Sequence, residues 1–186
     1  MNIGFAMCGS FCTHESALEA LRELTEAYET VIPILSETAA ETDSRFGDAE
    51  ELVRALEEMT GRKPLRDIPS VEPIGPKGLL DVLVVAPATG NTVAKLAAGI
   101  TDTAVTMAVK AHLRNGRPVV IALASNDGLS AGAKNIGELL VRRNYYFVPF
   151  GQDDAVNKPT SLIADFKMLP ETVDSALRGE QIQPVL

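Results

Sequence analysis

The sequence predicts an α/β fold in three layers, a parallel sheet covered by helices on both faces, and two observations carry that reading. Five short apolar segments alternate with segments whose apolar residues recur at helical spacing. The apolar segments are continuous rather than alternating, which is the pattern of strands buried on both sides. At 186 residues, with hydrophobic residues at 46% and charged residues at 23%, the chain is composed as one globular domain over 1–186. Disorder is excluded as its main state.

Ile3 to Cys8 is apolar and stops at Gly9-Ser10, a strand running into a tight turn. From Glu15 onward, Ala17, Leu18, Leu21, Leu24 and Tyr28 share one helical face. Thr30 to Leu35 is the second strand, ended by the polar stretch Ser36 to Asp43. Asp48 and Glu51 are spaced as a capping box for a helix whose inner face is Leu52, Val53, Leu56 and Met59, with Gly61 as its stop. Residues 62–78 carry Pro64, Pro69, Pro73 and Pro76 and are expected to be irregular. Asp81 to Ala86 is the third strand. Asn91 or Thr92 is expected to cap a helix through Ala98, Gly99 interrupts it, and a second helix over Thr103 to Leu113 ends at Asn115-Gly116. Pro118 to Ala124 is the fourth strand, and Ser130 is expected to cap a helix with Ile136, Leu139, Leu140 and Arg143 on one side. Tyr145 to Val148 is the fifth strand. A polar loop over Pro149 to Pro159, a helix over Leu162 to Leu177 broken at Pro170, and an extended tail over 178–186 complete the chain. A 2-1-3-4-5 strand order, that of flavodoxin-like and Rossmann-like sheets, puts the topological switch point between strands one and three.

Seventeen basic against 25 acidic side chains give a net charge of −8, so neither a nucleic acid nor an anionic membrane is an expected partner. The start Met-Asn-Ile-Gly-Phe-Ala-Met-Cys has no basic segment, no apolar run approaches the ~20 residues of a membrane span, and a cytoplasmic location is expected. In a reducing cytosol Cys8 and Cys12 are not expected to pair, and with His14 and His112 they are too few and too scattered for a metal site.

The switch point brings the turn Gly9, Ser10, Phe11, Cys12, Thr13 beside the turn Pro87, Ala88, Thr89, Gly90, Asn91, Thr92. Each precedes a helix, so free backbone amides point into the crevice, and a phosphate is the natural guest. Capping alone also accounts for Ser, Thr and Asn at such positions. His14 is expected as a partly exposed first-turn residue and His112 on a solvated face; Cys8 and Cys12 are expected as small buried packing residues, and Asp153-Asp154 as a solvated loop rather than a metal site.

The segment Ala86-Pro-Ala-Thr-Gly-Asn-Thr-Val-Ala-Lys-Leu-Ala-Ala-Gly-Ile-Thr-Asp102 resembles the P-A-S-x-N-T, A-K, G-I-x-D signature of flavoproteins related to FMN-dependent peptidyl-cysteine and phosphopantothenoylcysteine decarboxylases. The opening Gly4-Phe-Ala-Met-Cys-Gly-Ser10 is similar to that family's first phosphate loop. The resemblance implies FMN held by Gly9, Ser10, Phe11, Cys12, Ser36, Pro87, Ala88, Thr89, Asn91, Thr92, Ser125 and Asn126. No histidine stands mid-chain where the decarboxylases carry their catalytic one, and Leu123 and Ser125 replace the Pro and Met of their P-A-M-N motif. Cysteine decarboxylation is therefore not expected, and no catalytic residue is assigned.

Over nearly the whole chain, Thr42-Asp-Ser-Arg-Phe-Gly47, Glu72-Pro-Ile-Gly-Pro-Lys77, Lys110-Ala-His-Leu-Arg-Asn115, Phe147-Val-Pro-Phe-Gly-Gln-Asp-Asp154 and Gln181-Ile-Gln-Pro-Val-Leu186 resemble one branch of that family. These are the B subunits of a two-component oxidoreductase that forms a pyridine dicarboxylate during sporulation. That likeness implies an A subunit as partner, a small dicarboxylate substrate, self-association into a homo-oligomer and no independent activity. NAD or NADP is expected on the partner, since this chain has no G-x-G-x-x-G after a strand. The alternatives are a non-catalytic subunit that stabilises its partner or binds a ligand, and a decarboxylase relative. The stretch Pro64 to Pro76, with Phe147, Phe150 and Ile182 to Leu186, is expected either as a partner surface or as cover for the domain's own core.

Overall fold

The computed structural model describes all 186 residues. Strand β1 (Asn2–Met7) pairs in parallel with β2 (Thr30–Leu35) on one side and β3 (Val82–Ala88) on the other, with Ile3 opposite both Val31 and Val82. β3 pairs with β4 (Val119–Ser125), so the order of the first four strands is 2-1-3-4 as expected. Every residue of β3 and β4 is buried, which is why their sequences are apolar without alternation. Helices α1 (His14–Ala27), α3 (Ala49–Thr60), α5 (Gly90–Ala98), α6 (Ala104–Leu113), α7 (Ala133–Leu140) and α8 (Leu169–Leu177) cover the sheet, and a short α2 (Glu37–Glu41) follows β2.

The far edge departs from an all-parallel sheet. β5 (Tyr145–Phe147) pairs in parallel with Val119, Val120 and Ile121, the first half of β4. The second half of β4 pairs antiparallel with β7 (Leu162–Ala164), which in turn pairs with β6 (Phe150–Gly151), giving seven strands in a mixed sheet. The expected helix over Leu162 to Leu177 is therefore wrong in its first third. Leu162, Phe166, Leu169 and Val173 do fall at helical spacing. Yet Leu162 and Ala164 are buried with Ile163 half-buried between them, the alternation of an edge strand, and α8 starts only at Leu169 with Pro170 in its first turn. Phe150 likewise lies in a strand rather than a polar loop.

Residues 62–78 are more regular than four prolines suggest. Asp67 caps α4 (Ile68–Val71) with Ser70 closing the capping box, and a 3-10 turn over Glu72–Ile74 follows. Pro69 and Pro73 sit in the first turns, where no amide donor is needed. Gly75 lets that turn approach α6, since a Cβ there would fall 2.8 Å from the Ala111 carbonyl. The turn packs against α6, and His112, expected on a solvated face, has no exposed surface. Its Nε2 donates to the Pro118 carbonyl at 2.9 Å and Nδ1 has no partner.

Other helix starts also differ. Asp48 precedes α3 without a side-chain cap, and Asp43 Oδ1 accepts from Ala49 N instead. The turn over 127–132 delays α7 to Ala133, with Gly132 rather than Ser130 ahead of it. Phe147 and Phe150 are buried, as are Val71 and Ile74, so these residues cover the domain's own core rather than a free surface.

The tail beyond Arg178 is extended and tied down. Gln181 Oε1 accepts from Phe147 N and its Nε2 donates to Phe147 O, both at 2.7 Å, and Phe150 N donates to Val185 O. Gln181→Ala is expected to lower the unfolding free energy by about 2 kcal/mol, because it strands two part-buried backbone groups. A urea titration checks this, and an unchanged midpoint overturns it.

Candidate functional site

The exits of the first three strands are fastened together. Cys8 N donates to the Pro87 carbonyl at 3.2 Å and Ser36 N to the Met7 carbonyl at 3.0 Å. Immediately beyond, the chain turns sharply: Ser10 N donates to Cys8 O, and Thr13 donates to Ser10 O from both N and Oγ1. A 3-10 turn over Phe11–Thr13 then runs directly into α1. This arrangement leaves the amides of Gly9, Phe11 and Cys12 without an acceptor on the protein, a concave cluster of donors at a helix start that suits an anion. Gly9 is required by its neighbour, since a Cβ would fall 2.8 Å from Thr38 Cγ2.

Ser36 caps α2 by accepting from Ala39 N at 3.2 Å, leaving its hydroxyl hydrogen free to donate. Thr89, rather than Asn91 or Thr92, caps α5, its Oγ1 accepting from Thr92 N at 3.1 Å. The Thr89 and Thr92 hydroxyls are 2.9 Å apart and Thr92 Oγ1 donates to Cys8 Sγ at 3.2 Å. These hydroxyls thus tie the β3 turn to the β1 turn. Burial pushes the Cys8 thiol up to about 11, so it is a neutral packing group. Cys12, expected to be buried, is exposed on the turn. His14 is half-buried; its Nε2 donates to the Cys8 carbonyl at 2.8 Å, and burial lowers its pKa and keeps it neutral.

The structure brings Gly9, Ser10, Phe11, Cys12, Ser36, Pro87, Ala88, Thr89, Asn91, Thr92, Ser125 and Asn126 to the carboxyl ends of neighbouring strands. Pro87 and Ala88 are buried in β3, while Asn91 and Asn126 are exposed. One residue of this end escaped the sequence reading. Asp127 accepts a hydrogen bond from Ser125 Oγ, and a Cβ at Gly90 would fall 2.7 Å from its Oδ1. The only signal for it was an acid directly after Asn126 in an otherwise small, neutral turn.

A cleft of about 650 Å³ lies beside the crevice, between α1, α3 and the loop 42–48. Phe11 and His14 line it, and Glu15, Glu19, Asp48 and Glu51 against Arg22 make it acidic. No group of three or more His, Cys, Asp or Glu side chains is placed to hold a metal. Asp153 pairs with Lys158 and Asp154 accepts from Asn157, the solvated loop that was expected.

The flavoprotein family model matches residues 1–150. The chain belongs to the flavoprotein family. It is 42% identical over 184 residues to the B subunit of dipicolinate synthase from Bacillus subtilis strain 168, a match spanning 99% of this chain and 92% of that one. The crystal structure of the dipicolinate synthase B subunit from Bacillus halodurans C has a TM-score of 0.91 at 42% identity, covering 100% of this chain and 95% of that one. At a greater distance, DmrB of Burkholderia xenovorans in complex with FMN, described as a cubic protein cage for redox transfer, gives a TM-score of 0.71 at 19% identity over 95% of each chain. That last likeness is one of fold. No helix is long and apolar enough to cross a membrane.

Proposed function

We propose that this flavoprotein is the B subunit of a cytoplasmic dipicolinate synthase, working with an A subunit to oxidise dihydrodipicolinate to pyridine-2,6-dicarboxylate during sporulation. Its part is to hold FMN at the switch-point crevice. The observation that carries the cofactor reading is the cluster of unpaired amides at Gly9, Phe11 and Cys12 where the β1 exit meets the β3 exit. Backbone donors suit a phosphate in a chain of net charge −8, because they hold the anion locally without cationic side chains. Ser10 and the Ser36 hydroxyl stand beside them, and the Thr89, Thr92 and Cys8 network keeps the two turns in register. FMN, when bound, supplies two-electron redox chemistry, and this chain orients it.

The turns 8–13, 36–38, 87–92 and 125–132 contain no Lys or Arg. A dianionic substrate has no charge partner in them, which supports placing the dicarboxylate and the nicotinamide nucleotide largely on the A subunit. Self-association belongs to the same reading, supported by the cage described for DmrB.

The visible spectrum of the purified chain with and without added FMN tests cofactor binding; an unperturbed flavin spectrum would sink it. Co-expression with the A subunit is expected to give a co-purifying complex that reduces a nicotinamide nucleotide only with dihydrodipicolinate. Full turnover by the A subunit alone would overturn the partnership. Carbon dioxide release from a peptidyl-cysteine is expected to stay at the buffer rate. Of the two histidines, His14 is committed to the Cys8 carbonyl and His112 is buried beside Pro118, at the opposite end of β4.

A further inference from the structure

The turns after β1 to β4 carry two acids, Glu37 and Asp127. Glu37 is exposed in the first turn of α2, whereas Asp127 is turned toward the amino terminus of α5, where Gly90 and Asn91 have amides with no acceptor. The Asp127 turn is rigidly framed. Its carbonyl accepts from Ser130 N and Gly132 N, the Asn126 carbonyl accepts from Thr160 Oγ1 at 2.7 Å, and Leu129 N donates to Thr160 O. A Cβ on Gly128 would fall 2.9 Å from the Leu162 side chain, so the turn is also packed against β7. Ser125 Oγ donates to Oδ1, and Oδ2 receives no hydrogen bond from the protein. A carboxylate held this firmly with one oxygen unused is built to accept a donor from outside the chain.

Its charge also has a second effect. It stands near the α5 amino terminus without accepting from the Gly90 or Asn91 amides and repels a ligand phosphate from that end, leaving the Gly9, Phe11 and Cys12 amides to hold it. We propose that Asp127 is a positioning residue for the flavin, accepting a hydrogen bond from a ring N–H while the phosphate is held at the β1 turn. This inference rests on the flavin reading above.

Riboflavin, which has the ring without the phosphate, separates the two contacts. Titrations of the full chain, alone and with its partner subunit, follow flavin fluorescence with FMN and with riboflavin for the wild type, Asp127→Asn and Asp127→Ala. Asp127→Ala is expected to weaken both ligands by the same factor, about tenfold or more, with Asp127→Asn between it and the wild type. The melting temperature is expected to stay within about 2 °C. Unchanged riboflavin affinity in Asp127→Ala overturns the inference while leaving the flavin reading intact. So does a loss of binding that follows a fall in melting temperature, the mark of a carboxylate that only caps α5, and so does tighter FMN binding, the mark of one that only blocks its amides. Failure of the wild-type chain to bind either flavin overturns the underlying reading and this inference with it.

Discussion

Ser10→Asp is expected to weaken FMN binding at least about 100-fold while changing riboflavin binding little, because like unit charges about 4 Å apart near a protein surface repel by about 4 kcal/mol. Ser10 lies in the turn whose neighbours Gly9, Phe11 and Cys12 offer the unpaired amides, so an aspartate there brings a carboxylate against the phosphate. It can also satisfy those amides itself. The fold is not expected to suffer: Ser10 immediately precedes the 3-10 turn leading into α1, it is not buried, and aspartate is among the favoured residues at helix starts. Fluorescence titration with the two flavins gives the ratio directly. Equal losses for FMN and riboflavin would mean that the variant damages the crevice generally, and no loss for either would remove the phosphate from this turn.

The central sheet was legible in the sequence because its strands are buried on both faces, and burial on both faces writes a continuous apolar run. The runs Ile3 to Cys8, Asp81 to Ala86 and Pro118 to Ala124 needed nothing beyond that rule, although β3 continues through Pro87 and Ala88, which the sequence places in the following turn. At the far edge the parallel strand over Tyr145 to Phe147 was legible, but the antiparallel pair beyond it was not. Leu162–Ala164 is too short to display a period of two, and its apolar residues are equally consistent with a helical face shared with Leu169 and Val173. What decides the matter is non-local: the second half of β4 has an edge left open by the short β5, and β7 fills it. His112 failed for a similar reason. Its neighbours Lys110 and Arg114 suggested solvent, yet it is fully buried in a helix against which Glu72–Ile74 and Gly75, some forty residues earlier in the chain, are packed.

That the turns after β1 and β3 meet was legible, the hydrogen bonding of their residues less so. Two small, hydroxyl-rich turns at a switch point are predicted from sequence to lie side by side, and they do, but sequence cannot say which partner a hydroxyl takes. Thr89 and Thr92 spend theirs on each other and on Cys8, whereas the free donors belong to backbone at Gly9, Phe11 and Cys12, where side-chain identity carries almost no signal. Asp127 was hidden because its significance is entirely spatial, in the approach to Gly90 that the absence of a Cβ permits.

The protein is expected to lose about 3 kcal/mol of stability as the pH falls from about 6.5 to about 4, on account of His112 alone. Burial lowers the pKa of this ring from 6.5 to about 4, outweighing the hydrogen bond to the Pro118 carbonyl; Arg117 pushes the same way and Asp81 weakly opposes. Nδ1 has no partner, so a proton added there would be a buried N–H on a charged ring with nothing to receive it. The unfolded chain takes up that proton near 6.5 and the folded chain only near 4. Between those values the unfolded state binds more protons, so stability falls as pH falls; above about 6.5 the full stability is present, and below about 4 this contribution levels off. Against a typical domain stability of about 5–15 kcal/mol, the loss is large enough to read in urea titrations at a series of pH values. His112→Gln removes the titration while retaining a side-chain donor toward the Pro118 carbonyl. It is expected to flatten the profile between pH 6.5 and 4 relative to the wild type, whatever its stability at neutral pH. Asp67, Asp102, Asp153 and Asp154, whose hydrogen-bonded carboxyls are lowered, lose their contributions at lower pH and in both proteins alike. Parallel profiles for wild type and variant across that window would show that the ring takes its proton without unfolding the α6 end of the domain.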